Sequence, residues 1–142
     1  MTPAQVITAM QAVNAAISGI TSAPTVFPPA LDTAGLPCML TFPGEAEHQP
    51  GRVGATRTTR EYRAILYCNP VGQGLGLNEG VQEVITLIPL VITAYKANRT
   101  LSSGGATGRV GVPILDSGHV ISNFAGVDYH SCVFRVRVEE SQ

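Results

Sequence analysis

Four arginines between positions 52 and 63, three histidines, three cysteines and one glycine-rich run are the residues of this 142-residue chain whose types lend themselves to chemistry. The run Gly72-Gln73-Gly74-Leu75-Gly76 falls between a predicted strand and a predicted helix, where a phosphate-binding loop belongs. Its spacing is G-x-G-x-G rather than G-x-G-x-x-G, and it lacks the Lys-Ser or Lys-Thr pair of a P-loop. It reads as a strand-to-helix turn, so no nucleotide and no other cofactor is expected. His48, His119 and His130 show no metal-ligand spacing such as i, i+4 on a helix, and they read as structural or surface residues. Cys38, Cys68 and Cys132 are odd in number and far apart, which suits neither a disulfide framework nor a zinc site. Each lies in an apolar, strand-like run, so buried reduced thiols and a reducing cytoplasm during folding are expected.

Carboxylates are scattered along the chain, among them Glu45, Glu47, Glu79, Glu83, Asp116, Glu139 and Glu140. A general acid needs a carboxyl in a partly dry pocket beside a partner, and the sequence pairs none of them that way. No catalytic, cofactor-binding or metal-ligating residue is assigned. Arg52, Arg57, Arg60 and Arg63 cluster in and after a polar segment that carries Glu45 and Glu47, and Arg135 and Arg137 recur near the C-terminus. These eight residues form the candidate interface. A solvated strand face and a nucleic-acid contact are the competing readings. The planar guanidinium suits ion pairs between proteins, the net charge of −1 gives no bulk attraction for nucleic acid, and aromatic interleaving for stacking bases is missing.

These residues need elements to hold them. Thr2 caps and Pro3 opens a first helix, with Val6, Met10, Val13, Ile17 and Ile20 on one face and Gly19 as its stop. Prolines 24, 28 and 29 make residues 21–35 an irregular connector. Residues 36–42 read as a short strand, and Gly44 to Thr56 as a protruding polar arm. Arg57 to Asn69 is a strong strand, with Tyr62, Ala64, Leu66 and Cys68 opposite Arg63, Ile65 and Tyr67. From an Asn78 cap, Val81, Val84, Ile85, Ile88, Val91, Ile92 and Tyr95 keep helical spacing to about Asn98, through Pro89, where a kink is expected. Its apolar core, Val84 to Tyr95, is short for a bilayer span, and a membrane partner is not expected. Residues 102–108 read as a flexible loop, and Arg109–Leu115 and His119–Phe124 as short strands. Val127 to Glu139 is a long strand alternating His130, Cys132, Phe134, Val136 and Val138 with Ser131, Val133, Arg135, Arg137 and Glu139.

The expected fold is one α+β domain over residues 1–142. It has a mostly antiparallel sheet, the N-terminal helix and the long central helix on one face, and the order α-β-β-α-β-β. Charged residues make up 13% of the chain, against roughly a quarter in typical soluble domains. Sparse charge leaves little polar cover for a monomer and points to buried subunit contacts. The N-terminus shows no basic segment leading into an apolar run, so no signal peptide is expected.

Three stretches carry a resemblance. They are the strand Thr59-Arg60-Glu61-Tyr62-Arg63-Ala64-Ile65-Leu66-Tyr67, the helix from Gly80 to Asn98, and the closing strand from Tyr129 to Glu139 with its alternating apolar positions and acidic end. Together with the order of elements from Thr2 to Glu140, they resemble the tail terminator proteins of long-tailed bacteriophages. The chain differs from that pattern at Ser131, where glycine is more typical, and at Pro89. The resemblance implies a structural virion protein without catalytic residues. Such proteins form a ring, usually of six copies, that caps the head-proximal end of the tail tube, stops its polymerisation and joins the tail to the head connector. The implied partners are further copies of the chain, the tube protein and head–tail connector or neck proteins, with DNA passing through the lumen without specific recognition. The implied location is the virion tail, after assembly in the host cytoplasm. A neck or head–tail joining protein of the same particle is the alternative. A small cytosolic enzyme or ligand-binding domain is a third reading, which needs a pocket gathering His48, His130 and a carboxylate.

Overall fold

The structure is a computed structural model and describes residues 1–50, 56–72 and 76–141. Helix α1 spans Pro3–Ala15 and begins with a capping box. The Gln5 amide donates to Thr2 Oγ1 at 3.3 Å, and the Thr2 amide donates to Gln5 Oε1 at 2.8 Å. The chain crosses a one-turn 3-10 segment at Thr33–Gly35 and enters β1, Cys38–Pro50. Strand β2, Thr56–Pro70, leads to α2, Leu77–Ala97. Then follow β3 (Thr100–Ser103), β4 (Ala106–Val110), β5 (Leu115–Asp116), β6 (Val120–Phe124) and β7 (Val127–Ser141).

The described strands form one antiparallel sheet in the order β1-β2-β7-β4-β3, with β5 and β6 also pairing with β7. The α+β class holds, with two helices among the described residues, but the sheet is larger than the α-β-β-α-β-β order implies. The segment read as an arm is an extension of β1, which stays paired with β2 as far as Pro50↔Thr56. The register slips between Pro43 and Ala46, so the ribbon carries a bulge where Pro43 cannot donate to the ladder. Alternation does not reveal this part of the strand, because Glu45, Glu47, His48, Gln49 and Pro50 are all exposed.

The segment read as a flexible loop is likewise a hairpin. Strands β3 and β4 meet at Gly104 and Gly105, whose φ values of 58° and 81° make the two-residue turn that matches strand twist. The strand expected over 109–115 breaks into β4 and β5 around Pro113. Helix α2 begins after Gly76, so Gly76 rather than Asn78 is its cap, and it continues through Pro89.

Both helices lie on one face of the sheet. Val6, Met10 and Ile17 of the N-terminal segment and Val84, Leu87, Val91 and Tyr95 of α2 meet Met39, Tyr62, Ala64, Leu66, Cys132, Phe134, Val136 and Val138. Each apolar side chain fully buried there contributes about 1.5–3 kcal/mol. The buried row of α2 takes Gly80 and Leu87 and leaves Ile85 exposed, a rotation from the row expected by spacing. At 21 residues, α2 is long and apolar enough to cross a membrane by length and composition. Its Val84–Leu87–Val91–Tyr95 row is buried in the core.

A polar network joins the two helices to β1 within this core. Tyr95 donates to Asn14 Oδ1 at 2.6 Å, and Asn14 donates to Gln11 Oε1 at 2.8 Å. Thr41 donates to the same Gln11 oxygen at 2.9 Å, while Gln11 Nε2 donates to the carbonyls of Pro24 and Met39. All four side chains are buried, and their bonds offset the cost of taking them out of water.

The other face of the sheet carries a smaller apolar cluster of Cys38, Leu40, Tyr67 and Tyr129, against which Leu31, Leu36, Phe42, Ile65 and Phe124 pack. Phe27 stacks on Phe42 at 4.8 Å, and Tyr67 meets Phe124 and Tyr129 edge-on at 5.7 Å. Tyr67, placed by alternation on the face with Arg63, is therefore covered rather than open. All three cysteines are free and buried, and burial pushes each thiol above its ordinary pKa.

Candidate functional site

The bare part of that second face is where charge collects. Pleating sends Glu61 and Arg63 of β2 and Arg135, Arg137 and Glu139 of β7 outward between the buried positions. Arg109 of β4 lies opposite Glu139, between buried Gly108 and Val110, and joins the same row. Glu45 and Glu47 come from β1 and line a shallow hollow with Thr59, Glu61 and Arg137. A neighbouring hollow is lined by Gly44, Glu45, Glu61 and Arg63.

Two ion pairs cross the face. Arg57 Nε lies 3.2 Å from Glu139 Oε1, and Arg135 Nε lies 3.2 Å from Glu61 Oε1. Both are solvent-exposed, so each contributes at most about 1 kcal/mol to folding. Arg63 stands directly opposite Arg135 across the β2–β7 pair, which places two like charges side by side. Glu45, Glu47, Arg63, Arg109 and Arg137 have no ion-pair partner among the described residues. The face is thus a mosaic of both signs with spare groups of each.

Of the eight expected interface residues, Glu45, Glu47, Arg57, Arg63, Arg135 and Arg137 come together here. Arg52 lies outside the described residues. Arg60 does not belong with them. It sits opposite Ala46 and Val138 on the helix side of β2, where its Nη1 donates to the Gly44 carbonyl at 3.0 Å and its buried Nε has no partner. One position separates Arg60 from Glu61, and the pleat sends the two to opposite faces. Beside it, Tyr62 donates to the buried carboxylate of Glu140, and burial together with that carboxylate raises the phenol's pKa. Alternation in β2 and β7 already aligns Glu61 and Glu139 with the arginines. Arg109 joins them only through the β4–β7 register, which the sequence does not display.

The third reading needs a pocket that gathers His48 and His130. His48 bonds Thr58 Oγ1 at 2.9 Å near one end of β2, whereas His130 lies opposite Asn69 at the other. At roughly 3.3 Å per residue they stand about 35 Å apart along the strand, so they share no pocket. His130 instead meets His119, with 2.9 Å between Nδ1 and Nε2. Among the described residues, no group of three or more His, Cys, Asp or Glu is placed to hold a metal ion. No protein-family model matches the chain, and no curated protein matches it.

Proposed function

We propose that this chain is a structural virion protein of the tail-terminator kind, whose outer sheet face docks against neighbouring copies to close a ring. On this reading the ring caps the head-proximal end of the tail tube, halts tube polymerisation and presents a surface to the head connector, with DNA passing through its lumen. The observation that carries the reading is the segregation of charge. In a chain with nine basic residues, Arg57, Arg63, Arg109, Arg135 and Arg137 share one face with Glu45, Glu47, Glu61 and Glu139. A surface with unpaired groups of both signs is complementary to a rotated copy of itself or to a neighbour with a matching mosaic. Burial against a neighbour would turn weak exposed pairs into desolvated ones that fix register. A heterologous contact of this kind closes into a ring when its rotation divides a full turn.

Mass photometry of the purified protein at micromolar concentration tests the reading. A ring is expected, and Arg63→Glu combined with Arg137→Glu should return it to monomers with an unchanged circular-dichroism spectrum. A wild-type protein that stays monomeric and has no density in the particle would end the proposal. Its position in that density also separates a terminator, which touches the tube, from a neck protein, which touches the portal side.

A further inference from the structure

His119 and His130 lie apart from the charged face and are not used by the ring reading. His119 immediately precedes β6 and His130 belongs to β7. The ring centroids are 5.2 Å apart with planes tilted by 36°, and His119 Nε2 lies 2.9 Å from His130 Nδ1. At that separation one nitrogen donates and the other accepts, so the contact holds a single proton. With one ring protonated the other still accepts through its tautomer, but when both rings are imidazolium both facing nitrogens are donors, and two cations stand within hydrogen-bond distance of each other.

The His130 ring is not free to swing away unopposed. His130 is only 2% exposed, and its ring presses on Gly80 in the first turns of α2, where even a Cβ would lie 2.5 Å from Cδ2. The titratable groups nearest in the fold lie on four elements. They are Asp128 and Cys132 on β7, Cys68 on β2, Glu79 and Glu83 on α2, and Asp116 on β5. Asn123 donates to Asp128, Asn69 donates to Glu83, and the Gly118 amide donates to Asp116. Among the described residues, no carboxylate forms an ion pair with either imidazole, so none offsets a second positive charge.

We infer that the His119–His130 pair is a proton-sensitive latch holding the N-terminal half of α2 to the β6–β7 corner, closed when the rings share one proton and released when both are protonated. Burial, and then the neighbouring His119, hold the His130 pKa below that of free histidine, in line with this arrangement. A group with a depressed cationic pKa binds protons better when released. Its contribution to the closed state is therefore complete above about pH 6.5 and is lost as pH falls from there through the folded value.

The test is an imidazole NMR titration of the whole protein together with hydrogen-exchange protection factors for α2. The expected result is one ring position that resists protonation well below pH 6.5. Protection around Gly80 to Leu87 should fall by about tenfold for each unit of depression as the second proton binds. The double variant His119→Gln, His130→Asn keeps hydrogen-bonding atoms near both positions without a titrating ring, and should hold α2 protection level over the same range. Two imidazoles titrating independently near the free value would overturn the latch, as would a double variant that loses protection with acid as wild type does. The wild-type titration decides the matter even if the double variant does not fold.

Discussion

Strands β2 and β7 present alternate residues to two environments. Tyr62, Ala64, Leu66, Cys132, Phe134 and Val136 face the helices and are fully buried, while Arg63, Arg135 and Arg137, one residue away, are exposed. Backbone pairing is common to both rows, so the contrast lies in the side chains alone. The helix-side row removes large apolar groups from water and holds the fold. The outer row and its β1 and β4 neighbours place nine of the chain's nineteen charged residues on a surface that adds little to a single protomer's stability. The two rows should therefore be separable by substitution, one governing folding and the other association.

The largest effect belongs to the buried row. Phe134→Ala should destabilise the protein by about 3–5 kcal/mol, through lost burial and the cavity left behind, and urea unfolding measures it. Arg135→Ala, its immediate neighbour, should shift stability by no more than about 0.5 kcal/mol. If both unfold the protein alike, the outer face is part of the core design and the contrast collapses.

The polar network sharpens the same contrast from within the core. Tyr95→Phe leaves Asn14 Oδ1 buried without its 2.6 Å donor, and should cost about 1–3 kcal/mol although only one oxygen is removed. Calorimetry of the single variant and of Tyr95→Phe with Asn14→Leu separates the causes. The double variant should cost less than the sum of its parts, because removing both partners leaves no orphan between them.

The sequence made the buried rows of β2 and β7 visible because a strand packed mainly on one side alternates, as Tyr62 to Leu66 and Cys132 to Val138 do, while Tyr67 and Ser131 are buried in the other phase beside the second cluster. The start of α1 was legible for a local reason, since Thr2, Pro3 and Gln5 carry their capping chemistry within four residues. What escaped had no periodicity to read. β1 beyond Phe42 is a largely exposed ribbon, so its residues are polar in both phases of the pleat. The β3–β4 hairpin resembles a loop because Ser, Thr and Gly make up much of its short strands, and its turn depends on two positive φ values. Gln11 and Asn14 are polar residues on the buried face of α1, which an apolar count passes over. Arg60 was misplaced because nearness in sequence stood in for sharing a face. The His119–His130 contact is set by the β6–β7 register, which no local spacing encodes.

A smaller effect is expected at the β6–β7 turn, where Ala125 has φ 52° beside Gly126 at 83°. A left-handed backbone costs an alanine roughly 1–2 kcal/mol, which asparagine partly avoids by bonding locally. Ala125→Asn should therefore raise stability by up to about 1 kcal/mol, seen as a higher melting temperature. The site lies at a hairpin tip and touches neither row, so assembly should be unchanged.

The smallest effect returns to the outer row and tests its purpose most directly. In a monomer, a double-mutant cycle on Glu61 and Arg135 should yield a coupling of only about 0.2–1 kcal/mol, because both side chains are partly in water, and salt should weaken it further. In a ring the same pair would be desolvated, and truncating one partner would leave the other charge buried. Glu61→Gln should then barely alter protomer unfolding yet raise the concentration needed for assembly. A coupling in the isolated protomer as large as the loss in assembly would mean that the pair already does its work within one chain, and the separation of the two faces into folding and association would fail.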